Sequence, residues 1–527
     1  MAADHQLDVV VYGGTAGGVI ASVSAAREGL SVALVEPTAH LGGMVSGGLG
    51  FTDVGKREVI GGYALEFYLR AGRYYQMFRY GQDIAWLLEP HVAEQIFRQM
   101  LEEAKVQVFT RHQLREKTGV ERDGTTVRSL VTEQGEMFHA KIYMDASYEG
   151  DLMAQARVSY TSGREGAKEY GESLAGVRTR TPFHQFLVDI PGKDDSGKLL
   201  PEISRTPPGA PGSADRKVQA YNFRMCFCDS AENKVAFEKP EGYNPKRYRL
   251  LAALLAARTK HEGQAPELST LLKIDPLPNH KADINNQGAF STDYIGGSWL
   301  YPDATYRERA QIWREHQKYQ AGLFYFLAND PQSPESVRQE MSRWGLCKDE
   351  FADTNHWPYQ LYIRESRRML GEYVAIQKDL QDELTKPDAI GMGSYNSDSH
   401  NIERIVDASG FVRNEGDMQV SVKPYQIPYR VMAPKRTEAT NLLVPVAFSA
   451  SHVAYSSLRM EPQYMIIGQA AGVAAKLAIA SGKSIQEIDT NALQARLKAT
   501  GAVFEYLPSG QEHAIAIAKT RLAHLSK

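Results

Sequence analysis

Residues 8–36, DVVVYGGTAGGVIASVSAAREGLSVALVE, constrain the fold of this 527-residue chain more than any other segment. Residues 9–12 are continuous, apolar and mostly β-branched, the pattern of a strand buried on both faces. Gly13, Gly14, Gly17 and Gly18 follow at once. Val19, Ile20, Val23 and Ala26 then recur at helical spacing, and Gly29 ends the helix. Residues 32–35 read as a second buried strand with Glu36 at its end. The order strand, glycine cluster, helix, strand is a βαβ unit. Its glycines let the backbone approach a pyrophosphate, and its helix N-terminus offers unpaired N–H groups and a positive dipole. Glu36 is placed to accept hydrogen bonds from ribose hydroxyls, and its charge disfavours a 2′-phosphate. In a G-x-G-x-x-G alignment Thr15 holds the middle position, a departure from the pattern.

The next segment, AHLGGMVSGGLG at 39–50, separates two classes of dinucleotide protein. A Glu-ended strand followed within a few residues by a Gly-Gly pair resembles the glutathione-reductase-type FAD superfamily, where this second glycine segment lies along the pyrophosphate and isoalloxazine. The resemblance implies FAD as cofactor. It implies as contacts Gly13, Gly14, Thr15, Ala16, Gly17, Gly18, Glu36 and Pro37 from the first unit, and Gly42, Gly43, Met44, Ser46, Gly47 and Gly48 from the second. Residues 137–144 read as a strand that ends at Asp145, and MDASYEGDLMA resembles the superfamily's second nucleotide motif, with Asp145 and Ala146 at the turn. Arg157 stands where many relatives carry glycine, which leaves that turn open. Near the end, 442–446 reads as a short strand and 463–480 as a helix rich in Gly and Ala. In the superfamily such a helix aims its N-terminus at the flavin pyrimidine, which implies Gln463 and Gly468 as contacts.

The fold class expected is therefore α/β: a Rossmann-like, glutathione-reductase-type FAD-binding domain split in sequence. Its parts are 1–160 and 396–500, with an α+β substrate domain inserted at 161–395 and a tail at 501–527. Residues 89–105 form an amphipathic helix with Val92, Ile96, Met100 and Ala104 on one face. Strands are expected at 106–110, 126–132 and 218–227, and helices at 246–258, 304–329, 334–344 and 362–384. A net charge of −3 gives no reason to expect nucleic acid. No apolar run approaches the ~18 residues of a membrane span. No leader is visible, so the cytoplasm is the expected compartment. The three cysteines, Cys226, Cys228 and Cys347, form no disulfide framework, and no CxxC is present for a thiol relay. No spacing of residues points to a metal.

Over nearly the whole chain the sequence resembles a bacterial family of FAD-dependent oxidoreductases, some of whose members are called xanthan lyase. The resemblance rests on HLGGMVSGGLG, YEGDLMAQA, QAYNFRMC, KADINN, GSYNSDSHNIER, PYRVMAPK and SASHVAYSSLRMEPQYMIIGQAAG. It implies hydride transfer between flavin N5 and a small polar substrate in the neighbourhood of carbohydrate. Such chemistry needs a proton acceptor and anchors. His452, between the last strand and the small-residue helix, is the first candidate, and His400 beside Asp398 is the second. Arg459 and Glu461 are read as a pair near the ring. Arg364, Arg367 and Arg368 with Glu365 are read as a solvated helix face or a carboxylate clamp. Lys281, Asp283 and Asn285 suit sugar hydroxyls, Trp299 and Trp357 suit sugar rings, and His40 precedes the Gly-Gly pair. No second βαβ unit for a nicotinamide cofactor is evident, so the electron acceptor is left open. Two other reactions are consistent with the fold. One is a fumarate-reductase-like reduction with Arg430 or Arg459 as proton donor; the other is a flavin-assisted polysaccharide lyase.

Overall fold

A computed structural model describes residues 3–178 and 181–525. The first 145 residues hold β1 (Asp4–Tyr12), α1 (Ala16–Arg27), β2 (Val32–Glu36), α2 (Gly62–Tyr74), α3 (Pro90–Glu103), β3 (Gln107–Thr110), β4 (Val120–Asp123), β5 (Thr126–Val131) and β6 (Met137–Asp145). They build one Rossmann-like sheet in the order β3-β2-β1-β6-β5-β4. The β3, β2, β1 and β6 strands run parallel, and β5 and β4 turn back antiparallel. Leu442–Leu443, from 300 residues further on, adds a parallel strand beside Tyr143 and Met144 of β6. Residues 9–12 therefore have a partner strand on each side and side chains covered on both faces, which is why they read as an unbroken apolar run. The register brings Tyr12, Val35 and Asp145 level. Hence the glycine turn, Glu36 and Asp145 meet at the carboxyl edge of the sheet, where open α/β sheets bind ligands.

The helix Glu461–Ser481 lies along α1. Small residues set the distance between them. A Cβ on Gly468 would lie 2.2 Å from the Gly17 carbonyl oxygen, and one on Gly472 would lie 2.5 Å from the Ser24 Cβ. Ser24 Oγ donates to the Gln469 carbonyl at 2.8 Å. This helix is long and apolar enough to cross a membrane by length and composition alone, though Glu461, Gln463, Gln469 and Lys476 interrupt its apolar run. Its apolar window is 72% buried inside the protein, because its apolarity serves helix packing here. The terminal helix Glu512–Leu525 is no loose tail. It packs Ala514, Ala518 and Leu522 on Leu65 and Leu69 of α2.

The middle of the chain forms a five-stranded antiparallel sheet in the order Leu272–Leu277, Lys281–Asn286, Met225–Cys228, Gly345–Cys347, Lys234–Val235. Three helices accompany it: Arg249–Glu262, Tyr306–Asn329 and Glu335–Met341. The long one starts where a capping box dictates, with Thr305 and Glu308 satisfying each other's backbone donors. Of the strand expected at 218–227 only the end is paired. The helix expected at 362–384 is absent: the segment runs extended, Arg368–Met369 pairs with Tyr160–Thr161, and a helix forms only at Gln377–Gln381. A helix would place Arg364, Arg367 and Arg368 on one face. Here they point to separate carboxylates and are buried: Arg364 to Asp293, Arg367 to Asp151 and Asp303, Arg368 to Glu165 and Glu365. These three arginines make five ion pairs on different sides, which an extended chain reaches and one helix face does not. At Arg157 φ is +57°, so a left-handed turn persists where relatives use glycine.

Candidate functional site

A cleft of about 590 Å³ opens at the carboxyl edge of the parallel strands. Gly13, Thr15, Glu36 and Pro37 line one wall, and Arg309 and Trp313 of the long helix line the other. The Glu36 carboxylate accepts the amides of Gly14 at 2.6 Å and Thr38 at 2.7 Å, which fixes the turn while the group still faces the cleft. Thr15 caps α1 by accepting the Gly18 amide at 3.1 Å, and its hydroxyl donates to the Ala146 carbonyl at 2.8 Å. The residue that departs from the glycine pattern thus locks the first turn to the return strand. At Gly13, φ is +100° and a Cβ would lie 2.6 Å from the Ser147 nitrogen, so no side chain fits. Asp145 accepts the Ser147 amide, the Ser147 hydroxyl and the Met153 amide. Burial pushes its carboxyl up to about 7.

The second glycine segment docks on the first through the Gly42 amide and the Gly14 carbonyl, 2.7 Å apart. Ser46 Oγ turns back to the Leu41 carbonyl. The Met44 amide donates to Tyr148 Oη at 2.9 Å, and Tyr148 Oη donates to Glu461 Oε1 at 2.7 Å. Gly47 packs against Gln360, and Gly48 lies against the Arg224 carbonyl. Of the expected contacts, Gly17 and Gly468 face each other between helices, while Ala16 begins α1.

A second cavity, of about 500 Å³, is lined by Asp53, His184, Asn285, Tyr395, Asp398 and His400 among others. His400 Nδ1 lies 2.7 Å from Asp293 Oδ2, and Arg364 holds the other Asp293 oxygen at 3.0 Å. Burial and the Arg364 charge push the imidazole down to about 4, against the pull of Asp293. Burial alone would raise Asp293, but Arg364 and His400 outweigh it and hold the carboxylate at about 2. His400 is neutral near pH 7. With Nδ1–H directed at the carboxylate, Nε2 is left as the acceptor. The carboxylate expected to orient it, Asp398, lies 4.0 Å from Nε2. Asp293, 107 residues away in sequence, takes that role, and sequence reading missed it because the pairing is tertiary.

The other candidates fall in three groups. His452 is buried, bonded to Glu365 at 2.8 Å through Nδ1 and to Glu165 through its amide, and it is absent from the walls of both cavities. Arg459 bridges Tyr362 Oη at 3.1 Å and the Asp398 carbonyl at 2.7 Å. Glu461 bonds Tyr148 rather than Arg459. Lys281 is enclosed by Glu89, Asp349 and Glu350, and Asp283 by Arg224, so only Asn285 of that trio reaches the cavity. Trp357 lines the cleft, while Trp299 donates to the Ile402 carbonyl. His40 stacks on Tyr359 with Glu94 and Asp353 at its two nitrogens. Arg430 is a surface residue paired with Asp388. Arg309 and Trp313 carried no sequence signal, since neither belongs to a glycine motif, and Tyr148 lay inside the second motif without being singled out.

Two residues that line the cleft carry buried polar atoms without hydrogen-bond partners, Trp357 Nε1 and Tyr359 Oη; Glu461 Oε2, Gln463 Oε1, Arg459 Nε and Arg364 Nε are likewise unpartnered. Such orphans are rare in folded proteins. A polar ligand in the cleft would offer partners to the first two, so the residues that line it fit FAD.

Residues 8–497 match the family described as FAD dependent oxidoreductase. No curated protein matches the chain. Among solved structures, an L-amino acid deaminase from Proteus vulgaris is 17% identical, covering 31% of this chain and 53% of that one, with a TM-score of 0.24. A flavin monooxygenase from Stenotrophomonas maltophilia is 17% identical over 31% of this chain and 43% of its own, with a TM-score of 0.21. Thermovibrio ammonificans THI4 is 18% identical over 30% of this chain and 66% of its own, with a TM-score of 0.22. The chain thus spans about half the length of the first two.

Proposed function

The chain belongs to the FAD dependent oxidoreductase family, and from that premise we propose that it oxidises a secondary alcohol, or a similar C–H bond, on a polar substrate of saccharide type. The observation that carries the reading is the His400–Asp293 dyad on the wall of the polar cavity. FAD, when bound, supplies the two-electron acceptor. His400 Nε2 takes the hydroxyl proton, and Asp293 holds the ring in the tautomer that leaves Nε2 bare. Arg364 keeps Asp293 ionised, and Asp293 stabilises the imidazolium as it forms, against the burial and the Arg364 charge that disfavour it. Asn285, Tyr395 and Asp398 offer donors and acceptors for neighbouring hydroxyls, and the volume suits a small molecule. Arg459 and His452 act as positioning residues. Arg459 fixes Asp398 and the Tyr362 ring; His452 closes the Glu365–Arg368 network behind them. We assign 1–160 and 396–500 to the cofactor unit and 161–395 to the substrate unit, with 397–420 contributing to the cavity wall through Asp398, His400 and Gln419.

The test is anaerobic. FAD-loaded protein is mixed with a panel of sugars and polyols, and absorbance near ~450 nm is followed. Bleaching by a member of the panel, lost in His400→Asn, supports the reading. Reduced protein that is reoxidised by an unsaturated acid, with no bleaching by any sugar, overturns it in favour of a reductase. An unsaturated product without net electron uptake overturns it in favour of a lyase.

A further inference from the structure

Glu461 is the first residue of the 21-residue helix Glu461–Ser481 and is 2% exposed. One carboxyl oxygen accepts the Tyr148 hydroxyl at 2.7 Å; the other has no partner. Among the described residues no cation forms an ion pair with it: Arg459, whose charge acts on it, is directed at Tyr362 and Asp398. Tyr148 itself lines the cleft and takes the Met44 amide of the second glycine segment. A carboxyl group with one idle oxygen therefore stands one hydrogen bond behind the wall that faces an anionic cofactor.

We propose that Glu461 must carry its proton for FAD to be held, so that this one carboxyl group makes cofactor retention depend on pH. The inference rests on the family's cofactor and not on the reaction proposed above. A buried carboxylate one hydrogen bond behind the wall of the cleft adds like charge toward an anionic cofactor in a medium that screens poorly. FAD then binds the neutral acid more tightly than the carboxylate, and by reciprocity FAD raises the proton affinity of Glu461. Burial pushes this carboxyl up to about 8, even though the Tyr148 bond and Arg459 both act to lower it. The positive helix N-terminus also favours charge, by less than burial removes. The other groups that face Glu461 are Tyr68 of α2, Tyr148 after β6, Tyr464 on the next helical turn and Arg459 before the helix. Burial raises all three tyrosines, and carboxylate and phenol neighbours keep Arg459 protonated. None of the four changes charge between about pH 6 and 10; Asp145, pushed up to about 7 at the turn after β6, titrates there too, but both its oxygens are held by the Ser147 and Met153 donors whereas Glu461 has one idle.

The experiment measures the FAD dissociation constant by flavin fluorescence from pH 6 to 9.5, with circular dichroism to confirm the fold. The constant is expected to be flat up to about pH 8 and then to rise toward tenfold per pH unit as binding draws in one proton. Glu461→Gln keeps the shape without the titration and is expected to lose the rise above about pH 8. Tyr148→Phe removes a bond that lowers the group, so the rise should begin at a higher pH; this variant decides the matter if Glu461→Gln does not fold. A parent protein with pH-independent affinity, or a Glu461→Gln variant with the same rise, overturns the proposal. A parent that binds no FAD at any pH overturns the cofactor itself, a distinguishable result.

Discussion

Gly468→Ala tests the contact that joins two stretches of chain 451 residues apart, Gly17 and Gly468. In isolation the change favours the helix by about 1 kcal/mol, because alanine loses less backbone freedom than glycine. Here the new methyl lies 2.2 Å from the Gly17 carbonyl oxygen and 3.2 Å from the Ala21 nitrogen, both backbone atoms that cannot rotate away. Relief demands that the helix move off α1 by about 1 Å, which separates a packed interface. Gly472 sits as tightly against Ser24 one turn further on and shares the strain. Overpacking of this kind costs about 1–3 kcal/mol, and backbone on both sides puts this site at the upper end. The net expectation is a loss of about 2 kcal/mol. Because Thr15, the N-cap of α1, lines the cleft, flavin content should fall with stability. The assay is urea unfolding followed by flavin release and far-UV circular dichroism, with the midpoint lowered and the slope unchanged. A variant with the parent's midpoint and full flavin refutes the argument that this interface sets the geometry of the cofactor unit.

Two further outcomes follow from named groups. Asp293→Asn removes the partner that fixes the His400 tautomer, so turnover on a panel substrate should drop by ~10²–10⁴. Since Asp293 raises His400, the acid limb of kcat/KM, expected near pH 4 in the parent, should move to lower pH and not higher; a pH–rate profile checks both. Glu66 is fully buried between Arg27, Arg70 and Arg521 at 2.8–2.9 Å, tying α1, α2 and the terminal helix together. Glu66→Gln leaves Arg27 and Arg521 without a carboxylate, while Arg70 keeps Glu103, and should cost about 3–5 kcal/mol. Burial opposes the Glu66 charge, but the three arginines outweigh it and hold the carboxyl at about 2 against 4.5 when free. Its contribution is therefore complete above about pH 4.5 and lost as pH falls toward 2, which a series of urea midpoints against pH will show.

Much of the cofactor unit was legible because its signals are local. A buried parallel strand must be a continuous apolar run, a turn that meets backbone at 2.6 Å must be glycine, and a helix packed on another helix must show small residues at helical spacing. Residues 9–36 and 463–480 obey those rules without reference to anything outside themselves. Sequence order even paired the two segments, since a split nucleotide fold returns to its sheet at the end. Thr15 broke the glycine pattern, yet its reason is tertiary: its hydroxyl reaches the Ala146 carbonyl on the return strand.

The polar site was a different matter. The apolar spacing of 362–384 suggested a helix, but Arg364, Arg367 and Arg368 find carboxylates in three directions and the chain runs extended to reach them. His400 was visible as a candidate, but Asp398, its neighbour in sequence, is not what orients it; Asp293 is. His452 sat in the right stretch and faces Glu365 instead of a cavity. A charge interacts through space with whatever the fold brings near, and burial decides how strongly, so its partner cannot be read from spacing along the chain. Backbone periodicity fixed by sequence gave the glycine turns and their helices, and only the closing of distant segments decided which of the chain's carboxylates and imidazoles face one another.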